Sequence, residues 1–221
     1  MDKYLSDTYF IDKDHPRIKA FSDRLCKGGK TDIDRAVSLY YGVRDEIRYN
    51  PYAIDPEKSS MQASRILEQG EGYCVAKAVL LAACLRSQAI PARLGFADVR
   101  NHLVTGRLKE MMETDLFIWH GYTDIHLNGK WVKATPAFNL SLCEAFQVKP
   151  LEFDGTGDSV FHPLDALGNR HMEYVRDHGT FADLPWQRII SDLLEAYPGY
   201  FRSLGRETGD FRAEAVAENS G

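Results

Sequence analysis

The chain has 221 residues, 44% apolar and 27% charged, and a formal net charge of −5. That length supports a sizeable hydrophobic core without disulfide staples. The acidic balance argues against nucleic acid or an anionic membrane surface as the main partner, and no apolar run is long enough to cross a bilayer.

The opening segment MDKYLSDTYFIDKDHPR is charged and has no apolar signal core. Cys26, Cys74, Cys84 and Cys143 are widely and irregularly spaced, which fits neither a metal knuckle nor a tight disulfide framework. Free thiols in a reducing cytoplasm are the expectation. No metal site or cofactor is expected, because there is no HExxH motif and DGTGD lacks the ligand spacing of a calcium loop.

In chain order, Pro16 to Cys26 reads as a short helix with Ile18, Phe21 and Leu25 on one side. Thr31 and Asp34 resemble a capping box, with Asp in the usual Glu position. The helix they open carries Ile33, Val37, Tyr40, Tyr41 and Ile47 at helical spacing over 32–48. A proline-punctuated loop follows, then a helix from Ser60 to Gln69 stopped by Gly70 and Gly72. Cys74 to Gln88 contains no Pro or Gly and suits a buried helix, and Pro91 then switches the pattern to a strand ending near Val99.

Residues 100–115 are polar and read as a loop. DLFIWHGYTDIHLNGKWVKATPAF is the clearest β signal, with Asn128-Gly129 as a two-residue hairpin turn. Residues 151–181 are rich in Gly, Pro, Asp and His and read as loop; Leu184 to Tyr197 reads as a helix. The last residues lack a core pattern and read as disordered. Helices precede strands, which makes the fold α+β. The domain reading is a core over 1–140, a C-terminal extension packed on it over 141–205, and a tail over 206–221.

Cys74 is the residue that asks for a chemical explanation. It opens a helix just after Gly70 and Gly72, where unpaired N–H groups and the helix dipole favour a thiolate and offer donors to an oxyanion. Cys84 lies deep in the same helix and reads as inert, as do Cys26 and Cys143. A cysteine nucleophile needs a base, usually histidine. Counting outward from the turn pairs Leu127 with Lys130, Tyr122 with Thr135 and His120 with Ala137. His120, Tyr122, Asp124 and His126 then share one face, with Thr135 and Asn139 diagonal to His120. His126 reads as a surface residue beside Trp131, while His162, His171 and His178 fall in the loop-rich region. Trp119 and Trp131 fall on opposite faces, and Asp124 reads as a surface ion pair with Lys133.

Three stretches in order resemble the transglutaminase-like superfamily, a papain-type Cys-His-Asp group. They are AVSLYYGVRDEIRYNPY, SRILEQGEGYCVAKAVLLAACLRSQAIPARLGFADV and HGYTDIHLNGKWVKATPAF, within roughly residues 30–140. The resemblance implies N-terminal helices and a central nucleophile helix packed on an antiparallel sheet. Cys74 matches the nucleophile and His120 the base. Thr135 stands where the family has Asp, so Thr135, Asn139, Asp154 and Asp158 are the candidates to orient His120. Tyr73, beside the nucleophile, and Tyr122 are the substrate-binding candidates. The implied activity is hydrolysis of peptide or amide bonds through an acyl-thioester, with a peptide or protein as substrate. The alternatives are acyl transfer of the transglutaminase type and a non-catalytic interaction module on the same fold.

Overall fold

The computed structural model describes residues 1–102, 104–161, 172–203 and 209–219. Helix α1 (Pro16–Leu25) starts on proline, with the His15 side chain accepting from Arg17 N–H. Helix α2 (Asp32–Glu46) opens on the expected reciprocal box: Thr31 accepts from Asp34 N–H, and Asp34 accepts from Thr31 N–H. Asp therefore serves where Glu is usual, because both side chains still reach the orphan first-turn donors.

A short parallel pair, β1 (Arg48–Tyr49) with β2 (Glu71–Gly72), brackets α3 (Ala63–Gln69). Gly70 ends α3 in the left-handed region, φ 69°. The chain then enters α4 (Cys74–Ser87) directly. Every residue from Val75 to Arg86 is buried, so α4 is buried all round and occupies the centre of the core. Its valines and leucines each contribute about 1.5–3 kcal/mol of burial. Helices α1, α2 and α3 and the two central strands of the main sheet pack against it.

That sheet has the order β5-β4-β3-β6. The strands are β3 (Ala92–Asn101), β4 (Leu116–Leu127), β5 (Lys130–Ala134) and β6 (Met172–Phe181), all antiparallel to their neighbours. Asn128 and Gly129 both have positive φ, 49° and 82°, as the tight hairpin requires. The ladder runs in the expected register from Leu127↔Lys130 to Thr123↔Ala134, where it ends. The further pairs expected at Thr135 and Ala137 are not formed. Ala134 instead bridges Ser159, and Thr135 N–H donates to Ser159 O at 3.0 Å. Pro136 follows with no N–H to give, which is where such a ladder stops.

Three further expectations are corrected. The polar stretch 100–115 contains α5 (Gly106–Met112), capped by Thr105, whose hydroxyl accepts from Leu108 N–H. The loop reading of 151–181 misses β6, a partly exposed edge strand whose polar, bulged sequence never alternates cleanly. The tail is not without structure: α9 (Phe211–Asn219) buries Phe211 and Ala215 and packs on α6 (Leu140–Phe146). Helices α7 (Trp186–Ala196) and α8 (Pro198–Ser203) complete the C-terminal part. Tyr197 and Tyr200 are buried there. Tyr200 Oη bonds to Pro51 O at 2.9 Å, tying this region to the N-terminal half. Among the described residues, no helix is long and apolar enough to cross a membrane.

Candidate active site

Cys74 is the first residue of α4 and retains partial exposure. Its approach is set by glycine: a Cβ on Gly72 would lie 2.8 Å from Ala76 Cβ. Strand β4 crosses the same first turn, and a Cβ on Gly121 would lie 2.9 Å from Val75 Cα. This close approach carries His120, the residue before Gly121, to the helix start. Cys74 and His120 line one cavity of about 40 Å³, together with Tyr49, Tyr73, Trp119, Phe138 and other mostly apolar side chains.

Burial dominates the electrostatics. It pushes the Cys74 thiol up to about 11, against the opposing pull of the Gly121, Val75 and Cys74 N–H groups toward thiolate. It lowers His120 to about 4. The helix start does act on the sulfur as the sequence suggests, but desolvation of the anion outweighs it. The pair therefore rests as neutral thiol and neutral imidazole. Among the described residues no hydrogen bond joins the two, and catalytic contacts are commonly loose before substrate binds. Among the described residues, His120 Nε2 and Thr135 Oγ1 are both buried without a hydrogen-bond partner. The His120 ring packs 5.2 Å from that of Phe161.

The other candidates are distributed as follows. Tyr73 lines the cavity, and its hydroxyl lies 3.8 Å from Met61 Sδ. Tyr122 does not join it: it lines a separate groove of about 300 Å³ with Lys133, Asp158 and Asp177. Asn139 is committed elsewhere, its Oδ1 accepting from Tyr49 N–H at 3.1 Å and its Nδ2 donating to Ser141 Oγ at 2.8 Å. Asp154 caps its own turn at Thr156, and Asp158 accepts from Lys133 N–H at 2.9 Å, so neither carboxylate is bonded to His120.

Asp124 is buried rather than superficial, and although it stands opposite Lys133 its ion pair is with Arg93 on the neighbouring strand, at 2.7 Å. His126 is half-buried beside Trp131, ring centroids 5.2 Å apart. His162 and His171 lie outside the described residues. Cys26, Cys84 and Cys143 are buried free thiols, and burial raises all three.

The sequence profile of the transglutaminase-like superfamily matches residues 19–136, just over half of the chain. The chain belongs to the transglutaminase-like superfamily. The match takes in the start of α4 and all of β4 and β5, the elements that carry Cys74 and His120. Among solved structures, the transglutaminase-like chain is similar to a candidate cysteine protease from Cytophaga hutchinsonii, at 13% identity and TM-score 0.48. That likeness covers 80% of this chain and 53% of that one. It is also similar to a candidate protease from Parabacteroides distasonis, at 15% identity and TM-score 0.40, over 60% of this chain and 26% of that one. This transglutaminase-like chain thus spans about half the length of the first and a quarter of the second. No curated protein matches it.

Sequence reasoning missed Tyr49 and Phe138 as cavity walls. Nothing in the sequence ties Tyr49, on β1, to Cys74. The link is tertiary: Tyr49 pairs with Gly72 across the β1–β2 bridge, two residues before the cysteine.

Proposed function

We propose that the protein is a cysteine-nucleophile hydrolase of peptide or amide bonds, with Cys74 as nucleophile and His120 as general base and acid. The observation that carries this reading is the convergence of Cys74, at the start of α4, and His120, on β4, on one mostly apolar cavity. Neutral His120 is in the form a general base requires at neutral pH. The thiol proton passes to the imidazole as sulfur attacks the carbonyl carbon. The resulting oxyanion is held by backbone N–H at the helix start. The imidazolium then gives its proton to the departing amine, leaving an acyl-thioester. Water, deprotonated by His120, releases the acid and restores the thiol.

A second reading, a non-catalytic interaction module, is favoured by Thr135. It provides no charge at the position where the family has Asp, and His120 Nε2 has no partner. A peptidyl-amide substrate library decides between the two, assayed with the intact protein, Cys74→Ser and His120→Ala. Turnover that disappears in both variants, with an acyl-enzyme seen by intact mass, supports the hydrolase. No turnover, together with a Cys74 alkylation rate indifferent to His120→Ala, selects the module.

A further inference from the structure

Two β-bulges meet at one side chain. On β4, His120 pairs with Ala97 but Phe117 pairs with Val99, so Ile118 and Trp119 share the single residue Asp98 as their opposite number. On β6, Gly179 pairs with Phe96 but Asp177 pairs with Ala97, leaving His178 as the extra residue. The bulges lie on either side of β3 and direct their residues at the same carboxylate. Asp98 is buried, accepts from Trp119 N–H at 3.0 Å and lies 2.6 Å from His178 Nε2, both through Oδ1. The imidazole of His178 stacks on the Trp119 indole, centroids 4.0 Å apart at 14°. The indole N–H donates to Asp192 on α7 at 2.8 Å.

Trp119 has φ 57°, a region that a bulky side chain enters only when its surroundings hold it there. It is the residue immediately before His120, and it is among the residues lining the Cys74–His120 cavity. A bulge leaves its N–H without a ladder partner, and Asp98 supplies the acceptor.

We propose that Asp98, steadied by His178, is a positioning residue for His120: it fixes the left-handed turn at Trp119 that aims the imidazole at the start of α4. The role rests on the reading of Cys74 and His120 as a reactive pair. Asp98 makes no contact with His120 itself and acts through the backbone of Trp119. The start of α4 depends on the same turn, because Gly121, one residue beyond His120, packs there against the backbone of Val75 and Cys74.

The test compares Asp98→Ala, Asp98→Asn and His178→Phe with the parent protein. Three readouts are taken: the NMR titration of the His120 imidazole, the pH profile of Cys74 alkylation by iodoacetamide, and kcat and KM on any amide substrate found. Asp98→Ala should move the His120 resonances and titration. It should also cut alkylation and kcat on the order of tenfold or more, with KM within about twofold. Asp98→Asn keeps an acceptor for Trp119 N–H and should recover most of this loss, and His178→Phe should fall between. A folded Asp98→Ala protein with an unchanged His120 titration overturns the proposal, as does an Asp98→Asn protein no better than Asp98→Ala. Should Asp98→Ala fail to fold, His178→Phe carries the test with the same readouts. Failure of the hydrolase reading looks different: no turnover, and alkylation indifferent to His120→Ala. The His120 titration still decides the positioning role in that case.

Discussion

The buried polar side chains of α4 contrast with two that lie outside it. Lys77 is fully buried, and its Nζ donates to the carbonyls of Arg44 at 2.8 Å and Ile47 at 2.6 Å. It thereby caps the C-terminal end of α2. Arg86, near the other end of α4, donates to Ala92 O and Ser6 O at 2.9 Å and also to Ala182 O. His120 Nε2 on β4 and Thr135 Oγ1 just after β5 are equally buried but, among the described residues, without partners. A buried polar group with every partner in place holds the fold together. One left without a partner costs stability, and such a group in the wall of a cavity, as His120 is, marks where a chain gives up stability for chemistry.

The largest test of that contrast is Lys77→Met, which keeps volume but strands two carbonyls. Each stranded group costs about 1–3 kcal/mol, so a loss of about 3 kcal/mol is expected by urea unfolding. Cys74→Ala should change stability by much less. If the two variants destabilise equally, the distinction between a structural and a functional side chain in the first turn of α4 collapses.

Acid titration probes the other side. Burial lowers His120 from 6.5 to about 4. The unfolded chain therefore binds the extra proton first as pH falls. The neutral histidine's contribution is complete above about pH 6.5 and is lost progressively down to about pH 4, to a total of about 3 kcal/mol. Unfolding curves for the parent protein and His120→Gln, taken from pH 7 to pH 4, should show this extra loss only in the parent. Parallel pH dependences would mean that His120 is not buried in neutral form.

Thr135→Asp restores a carboxylate at the position where the family has Asp. His120 should titrate higher, and Cys74 alkylation at pH 7 should accelerate on the order of tenfold, at some cost in stability. An unchanged rate would remove Thr135 from the neighbourhood that matters. Thr135→Val should have the smallest effect. It replaces an unpartnered hydroxyl with a methyl of similar shape, so stability by thermal melting should change by less than about 1 kcal/mol, in either direction.

The legible parts of the chain were those governed by local rules. The Thr31–Asp34 box, the left-handed stop at Gly70, the uninterrupted α4 and the Asn128-Gly129 turn each follow from short-range sterics and hydrogen bonding, and each stands where the sequence places it. The order of motifs around Cys74 and His120 was equally readable, because the backbone spacing of helix start and strand is written in the chain.

Tertiary structure decided what depends on residues far apart. The strand expected to run through Thr135 stops at Ala134 because the Ser159 segment takes over its hydrogen bonds. Asn139 looked like a partner for His120 by register, yet its amide serves Tyr49 and Ser141. The polarity of β6 concealed an edge strand whose bulge delivers His178 to Asp98. The thiol shows the same division. Sequence placed Cys74 at a helix start, which favours thiolate, and only its burial in the folded chain determined that desolvation prevails. Capping and turn propensities act within a few residues and so survive in the sequence. Burial and partner choice are sums over the whole packed molecule, and exist only once it has folded.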